Sequence, residues 1–363
     1  MLPVVDFLAQ IGCPTDRLLE QISLSSDVLN QPENLVSLYQ GSALLENAAN
    51  LEGLEALGFL VGRQTSLYKL GTLGSILDNS LTLFDLLISL EQVVGMANSG
   101  EHASLRWDND LVWWKFHCDQ PTQESNLQAQ RYDLGLYLNI LHQVLGPAWR
   151  PTELRLEGPP CRSLLTMDDF VGATIHFLCP YNAIKIPRAA LSLPYNPLAT
   201  DADLNLHPDY EGFWHSAPAR AFFDSLQQLI QSLLPYGCPG IGLVAAASGL
   251  SVRSLQRHLA EAGLTYSKLI DQVRFNRAVA LLQQSDVKLL EIAMELGYTD
   301  PANFARAFKR WTGSSPREYR LSQVDAKHLC NIGFRAFADP SNNLAHVFRG
   351  CTGGQYRTDQ QFN

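Results

Sequence analysis

The chain has 363 residues, and 46% of them are hydrophobic, which is enough for the buried cores of two or three domains. Its formal net charge of −9 argues against DNA binding along the whole chain. The charge is uneven, however. Residues 1–234 hold 12 Lys and Arg against 26 Asp and Glu, whereas residues 235–323 hold 11 against 7. Any contact with an anionic polymer is therefore predicted in the last third of the chain.

No membrane span, signal peptide or metal site is predicted. An apolar stretch over residues 73–94 is interrupted by Asp78, Asp85 and Glu91. The first residues lack a basic segment and a cleavage site, so we expect a cytoplasmic protein. Seven scattered cysteines, an odd number without a C-x-x-C pair, indicate reduced thiols rather than disulfides or zinc ligands. No cofactor is predicted.

The first two hundred residues mix helical and strand patterns. Apolar residues at helical spacing predict helices over Leu44–Arg63, Thr82–Ala97 and Leu127–Leu145. Alternating patterns predict five short strands, at Ala103–Trp107, Leu111–Cys118, Glu153–Glu157, Thr174–Cys179 and Ala183–Ile186. Together these elements indicate an α+β domain with an antiparallel sheet.

The aromatic pair Trp113 and Trp114 is the candidate effector pocket of this domain. Neighbouring residues of a strand point to opposite faces, so one tryptophan can line a pocket while the other packs in the core. The alternative, that both belong to a core or an interface, carries more weight. Three histidines lack metal-ligand spacing, and no nucleophile elbow, phosphate loop or carboxylate pair is visible. An enzyme is therefore not expected.

A Pro-rich stretch over residues 193–218 and a predicted helix, Arg220–Leu234, connect this domain to the last third of the chain. The helix carries an apolar stripe at helical spacing. That stripe fits a homodimer seam or a helix packed on the N-terminal domain, and the sequence leaves both open. Its members are Phe222, Leu226, Leu229 and Leu233.

One short layout then occurs twice. Residues 243–251 and 291–300 each predict a short Ala-containing helix and a turn with one glycine. A second helix follows, over residues 252–262 and 301–310, apolar on one face and basic on the other. This is the layout of a helix-turn-helix, whose second helix enters the DNA major groove.

Polar side chains on the second helices have the chemistry for reading bases. Arginine pairs with guanine through two hydrogen bonds, and asparagine or glutamine pairs with adenine. The first helix offers Arg253, Gln256 and Arg257. The second offers Asn303, Arg306 and Arg310. In the second copy, Asp300 and Pro301 predict a helix start.

Residues 236–322 resemble the DNA-binding domain of the AraC-type transcription regulators. The resemblance is carried by residues 296–316, LGYTDPANFARAFKRWTGSSP, followed by Tyr319 and Arg320. It implies seven helices, with a long one near Tyr266–Gln284 joining two readers about 34 Å apart. By position it implies base contacts from Arg253, Gln256, Arg257, Asn303 and Arg306. Lys309 and Arg310 would be phosphate contacts or solvated charges.

A second resemblance covers about 200 residues of the N-terminal part. Residues 58–62, 71–74, 79–83 and 177–187 are similar to the arabinose-binding type of sensor domain found in one AraC-type branch. This resemblance implies a small-molecule effector, whose identity the residues leave open.

The predicted organisation has four parts: a sensor domain at 1–205, a linker with a helix at 206–235, a DNA-binding domain at 236–323 and a tail at 324–363. The tail repeats part of the second reader, from Asp339-Pro340 to Thr352-Gly353, and is interpreted as a decayed partial duplication. The alternative is a third functional reader.

The sequence thus predicts a bacterial transcription regulator, with activator as the expected class, and the residues leave open whether the output is activation or repression. It would bind double-stranded promoter DNA, respond to a small molecule, contact RNA polymerase and form a homodimer. Two alternatives remain: a ligand-independent architectural DNA-binding protein, and an enzyme-like ligand domain fused to a DNA-binding tail.

Overall fold

The computed structural model describes residues 1–25, 35–118, 126–195, 213, 217–284 and 287–324. These residues belong to two compact units. One consists of Met1–Leu234 with Pro239–Ile270, and the other of Pro235–Cys238 with the chain from Asp271 onward. Among the described residues, no helix combines the length and the apolarity that crossing a bilayer requires. The predicted tail duplication lies outside the described residues from residue 325 on.

Seven helices precede or flank the sheet of the N-terminal α+β domain. They are α1 (Leu2–Gln10), α2 (Thr15–Gln21), α3 (Leu38–Glu52), α4 (Leu57–Gln64), α5 (Thr72–Asp78), α6 (Leu83–Ala97) and α7 (Leu127–Leu145). The predicted bounds of α7 are confirmed. So are those of α6, where Thr82 and Asp85 form a capping box that fixes its start. The single helix predicted over residues 44–63 is wrong, because Gly53 adopts a left-handed φ of 64° and ends α3.

Five strands form one sheet in the order β1-β2-β5-β3-β4. They are β1 (Glu101–Asp108), β2 (Leu111–Cys118), β3 (Glu153–Arg155), β4 (Thr174–His176) and β5 (Asn182–Pro187). The predicted α+β class and the antiparallel pairing of β1, β2, β5 and β3 are confirmed. β3 and β4 pair in parallel, however, so the sheet is antiparallel only for the most part.

Helix α7 is held against α4 by an unusually close backbone contact. A methyl group at Gly58 would lie 1.9 Å from the carbonyl oxygen of Gln128, and one at Gly62 would lie 2.1 Å from that of Tyr132. Only glycine allows such an approach. The inner face of the sheet, with Trp114 fully buried, then packs with α7 and α6 in the main core.

One short helix lies between β3 and β4, and further helices follow residue 220. Helix α8 is Arg162–Leu165. Seven helices follow residue 220 within the described part of the chain: α9 (Phe222–Leu233), α10 (Ile241–Ala247), α11 (Val252–Glu261), α12 (Tyr266–Leu282), α13 (Leu289–Glu295), α14 (Pro301–Thr312) and α15 (Pro316–Val324). Six of these seven helices follow residue 236, one fewer than the family resemblance implies for residues 236–322, and α9 lies in the predicted linker.

Candidate nucleic-acid interface

The first predicted reader is a helix-turn-helix over residues 241–261, named HTH1 below. Helix α10 ends at a turn in which Gly249 has a left-handed φ of 68°. Ser251 then caps α11, its hydroxyl accepting from the Ser254 amide at 3.1 Å. Leu255 and Leu259, one helical turn apart, are buried in the small core of the unit. Local sequence alone therefore accounts for the shape of HTH1.

The second reader, residues 289–312, is named HTH2 and repeats this layout with stronger signals. Gly297 has a φ of 71°, in the same conformation as its counterpart in HTH1. The Asp300 carboxylate accepts from the Ala302 amide at 2.9 Å, and Pro301 occupies the first position of α14. The predicted helix start is confirmed. Its core is aromatic, with the Phe304 and Phe308 rings 5.8 Å apart.

All seven predicted DNA-contacting side chains lie exposed on α11 or α14, while the opposite faces of these helices are buried. They are Arg253, Gln256, Arg257, Asn303, Arg306, Lys309 and Arg310. Each helix thus has one apolar face against its own core and one face of hydrogen-bond donors turned to solvent. Such a face can contact base edges and phosphates without disturbing the fold.

Four of these side chains have polar partners within the protein. Arg257 lies 3.9 Å from Glu261 in an exposed pair one helical turn apart. Arg306 donates to the Asn303 side-chain oxygen, which aligns two candidate readers of α14. Arg310 lies 3.4 Å from Asp271 of α12. Exposed pairs of this kind are weak, so DNA phosphates or bases can replace the partners at little cost.

Arg274 of α12, which the sequence analysis did not single out, holds the turn of HTH2 in place. Its Nε donates to the Leu296 carbonyl at 2.9 Å, and an Nη donates to the Gly297 carbonyl at 3.3 Å. Its guanidinium also lies 4.2 Å from the centre of the Tyr298 ring. These carbonyls at the end of α13 lack partners within the helix, so Arg274 satisfies them.

HTH1 contacts the N-terminal domain at the start of α3, within the same compact unit. The Ser37 hydroxyl donates to the Ala247 carbonyl at the end of α10. The Tyr39 ring packs so closely over the turn that a methyl group at Gly249 would lie 2.7 Å from it. The glycine is thus needed for the left-handed turn and for this contact.

HTH1 is contacted a second time, on the recognition helix itself. The ring of Phe222, the first residue of α9, lies 5.3 Å from the ring of His258 on α11. Of the apolar stripe predicted on α9, Leu226 is buried and Phe222 is 40% exposed. Ile230, which the predicted stripe did not include, is buried as well. Packing within the unit therefore accounts for part of the stripe.

The two tryptophans predicted as pocket residues lie on opposite faces of β2. Trp114 is fully buried and packs edge-on against Tyr137 of α7 at 5.5 Å. Trp113 lies on the other face of the sheet, where the Arg155 guanidinium is 4.7 Å from its ring centre and the Lys185 ammonium 5.1 Å. The predicted placement of the two tryptophans on opposite faces of the strand is therefore confirmed, and Trp114 is part of the core.

The contacting residues that sequence reasoning missed share one property: their partners are distant in the chain. Tyr39 and Gly249 are far apart in sequence, and so are Phe222 and His258. No periodicity links such pairs. No signal singled out Arg274, because the joining helix also carries Lys268, Asp271 and Arg277.

Comparison with known families gives two matches along the chain. Residues 12–195 match the family described as the arabinose-binding domain of AraC transcription regulators, N-terminal. Residues 244–322 match a helix-turn-helix domain family. Both resemblances predicted from the sequence are thereby confirmed.

Individual relatives extend over most of the chain. The ornithine utilization regulator of Pseudomonas aeruginosa is 25% identical over 324 residues, or 87% of this chain and 94% of the relative. The transcriptional regulator VirS of Mycobacterium tuberculosis is 22% identical over 317 residues, or 87% of this chain and 93% of the relative. The crystal structure of the transcriptional regulator CdpR from Pseudomonas aeruginosa aligns with 85% of this chain and 96% of its own, at 21% identity and a TM-score of 0.35.

Proposed function

We propose that this chain, which belongs to the AraC family of transcription regulators, regulates a bacterial promoter by reading two adjacent segments of the major groove. It joins a sensor domain of the arabinose-binding type to a helix-turn-helix DNA-binding domain. One observation carries the proposal. Both α11 and α14 expose a set of polar and basic side chains opposite a buried apolar face. A helix of this build fits the major groove with its donors toward the bases.

Different residues take different roles in this proposal. Arg253, Gln256 and Arg257 of HTH1 contact base edges, and so do Asn303 and Arg306 of HTH2. Lys309 and Arg310 lie near the end of α14 and contact phosphates, which adds affinity without sequence preference. The turn-proximal positions Pro301 and Ala302 offer no side-chain donor. HTH2 therefore reads fewer bases than HTH1.

The N-terminal domain supplies the input. We propose that it binds a small molecule and that binding changes how HTH1 is held. Support comes from the Ser37, Tyr39 and Phe222 contacts, which connect HTH1 to the rest of its compact unit. A relative that aligns over most of the chain is named for ornithine utilization, which makes an amino acid or its derivative a reasonable class of effector.

Several further features belong to the same proposal. The sensor domain extends to about residue 205, the linker to 235 and the DNA-binding domain to 323. The protein acts in the cytoplasm as an activator that contacts RNA polymerase, and has no enzymatic activity. A homodimer through α9 is supported by the apolar side chains that remain partly exposed there, Phe222, Leu229 and Leu233.

The proposal is tested by selecting bound sites from random DNA with the purified full-length chain. We expect two motifs whose centres lie about 10–10.5 base pairs apart. Arg257→Ala and Arg306→Ala should each cost about 1–3 kcal/mol and relax the preference at one base pair of one motif.

Arg317→Ala is the matched control, because Arg317 is an exposed arginine that belongs to neither recognition helix. It should leave both motifs unchanged. A uniform loss of affinity on every sequence in Arg257→Ala or Arg306→Ala would make that residue a phosphate contact. Failure to enrich any site, with or without added amino acids, would refute the proposal.

A further inference from the structure

The outer face of the sheet, which is the face that carries Trp113, is basic, whereas the domain around it is acidic. Residues 1–234 hold 12 Lys and Arg against 26 Asp and Glu. Strand alternation and register place four of these cations on the outer face, together with two carboxylates. The excess of acidic residues is therefore reversed on this face. The cations are Arg106, Lys115, Arg155 and Lys185, and the carboxylates are Asp108 and Glu153.

The register arranges the four cations in two neighbouring rows across the strands. In one row, Arg106 of β1 and Lys185 of β5 lie on either side of Trp113. In the next row, Lys115 of β2 and Arg155 of β3 lie on either side of one alanine. Neighbouring strands are about 4.8 Å apart, so the four cations form one continuous patch.

Two aromatic rings hold the cations of this patch in place. The Lys115 ammonium lies 3.8 Å from the centre of the Tyr181 ring, and the hydroxyl of the same tyrosine accepts from Arg155 Nη1 at 2.9 Å. The Arg155 guanidinium also lies over the Trp113 ring. Because these contacts already restrict the two side chains, a partner that pairs with them loses less conformational entropy on binding.

Both carboxylates of the outer face have partners within it. Lys185 donates to the Glu153 carboxylate at 2.7 Å, and the Trp113 indole donates to that of Asp108 at 3.3 Å. The other three cations form no salt bridge with any described residue. Their positive charges are therefore not neutralised by the described part of the chain. These three are Arg106, Lys115 and Arg155.

We propose that the outer face is a docking surface for an acidic, extended segment of a partner protein. An extended chain that lies along the strands repeats its side chains on one side about every 6.6 Å, which is also the spacing between the two rows of cations. Alternate Asp or Glu side chains then pair with successive rows, and the Arg155 guanidinium can bind a carboxylate through two hydrogen bonds. Trp113 belongs to this surface rather than to an effector pocket.

Two observations favour a polypeptide over nucleic acid as the partner. Cations cover faces of the Trp113 and Tyr181 rings, and a covered ring face cannot stack on the bases of a single strand. Duplex DNA carries one charge for about every 1.7 Å of its axis. The surrounding acidic domain repels such a polymer more strongly than it repels a short segment with a few carboxylates.

The test measures the fluorescence anisotropy of a labelled peptide of alternating Glu and Ser residues, titrated with the full chain. We expect binding that weakens as the salt concentration rises from about 50 mM to about 500 mM, because exposed ion pairs are screened. The same peptide with Gln in place of Glu keeps the length and the backbone but has no charge. It should bind about tenfold more weakly or worse.

Charge-reversal variants assign the binding to the outer face. The double variant Arg106→Glu, Lys115→Glu should weaken binding of the Glu peptide by about tenfold or more. Because Lys115 contacts the Tyr181 ring, Arg106→Glu alone is measured beside it, at a side chain that is exposed. The matched control is Arg17→Glu, Arg162→Glu, which makes the same change in net charge at exposed arginines of α2 and α8. Circular dichroism establishes that each variant is folded.

Equal binding of the Glu and Gln peptides, or an equal loss of affinity in the control variant, would overturn the proposal. Weaker binding of random duplex DNA to the outer-face variant than to its control would assign the face to nucleic acid instead. A change in the sedimentation of the free outer-face variant, absent from the control, would make the face an interface between copies of this chain. Selection of a DNA site by HTH1 and HTH2 is decided separately from all of these outcomes.

Discussion

HTH1 and HTH2 have the same layout, but different parts of the protein hold them. HTH1 is contacted by Ser37 and Tyr39 from the N-terminal domain and by Phe222 from α9. HTH2 is held by Arg274 at its turn and by a cluster of aromatic rings. Two similar stretches of sequence therefore have different surroundings in the folded protein. Under the proposed function, HTH1 would receive the effector signal and HTH2 would anchor the chain on DNA.

The largest effect is expected from Phe308→Ala. Phe308 is fully buried, and its ring contacts those of Phe304 and Trp311. Removing a ring of this kind costs about 3–5 kcal/mol. Hydrogen exchange, followed by mass spectrometry, should rise over residues 287–324 and leave residues 241–261 protected.

Leu259→Ala in HTH1 is the matched variant, since Leu259 occupies the equivalent core position. It should raise exchange in residues 241–261 instead. Equal loss of protection in both segments after Phe308→Ala would mean that the two readers unfold together. The contrast between a signal-receiving and an anchoring reader would then fail.

A smaller and more specific effect is expected at the two turn glycines. Gly249→Ala and Gly297→Ala each place a side chain in the left-handed region, which costs about 1–2 kcal/mol. Gly249→Ala also drives a methyl group into the Tyr39 ring. It should therefore cost more, and the excess should disappear in a Tyr39→Ala background.

Urea unfolding of the single and double variants measures this coupling. A coupling free energy of about 0.5–3 kcal/mol between positions 39 and 249 would place the N-terminal domain on HTH1 in solution. Additive costs would show that the Tyr39 contact does not contribute to stability. Tyr68→Ala, at another half-exposed tyrosine of the N-terminal domain, is the control and should show no coupling to position 249.

The smallest expected effect is a pH dependence of the stability of the N-terminal domain. Burial, more than any neighbour, raises the pKa of Asp133 to about 7, and the pKa of Glu101 is raised as well. Because these carboxyl pKa values are raised in the folded state, the folded protein binds more protons than the unfolded chain does. This difference exists at pH values between the usual carboxyl pKa and neutral pH. Stability should therefore fall as the pH rises through that window.

Asp133→Asn removes one of these titrating groups. Its stability relative to the unmodified protein should increase from about pH 5 to about pH 7, as measured by urea unfolding. Exchange in residues 287–324 should be the same in both proteins once the intrinsic effect of pH is corrected. A relative stability that does not change with pH would show that Asp133 is charged at little cost in the folded state.

Several features of the fold were predictable because they are local. The capping box of Thr82 and Asp85 marks the start of α6, and Asp300 with Pro301 marks that of α14. Strong periodicity gave α7 its bounds. The helix predicted over residues 44–63 failed for a local reason too, because Gly53 was counted as part of a periodic pattern when it ends the helix.

Other features depend on partners that lie far away in the chain. The parallel pairing of β3 with β4 is one example, since alternation along a strand does not specify its neighbour. The burial of Glu101 is another. Glu101 was an ordinary strand residue in the sequence, and only folding buries its side chain beside Tyr137 and Asp133 of α7.

The sequence by itself determined the DNA-binding layout of this protein, because the glycines, caps and apolar spacing of a helix-turn-helix all act within about twenty residues of each other. It also determined which faces of α11 and α14 are polar. Only the tertiary structure decided what touches HTH1. These contacts join residues that lie from a few dozen to more than two hundred positions apart, and no local pattern records them.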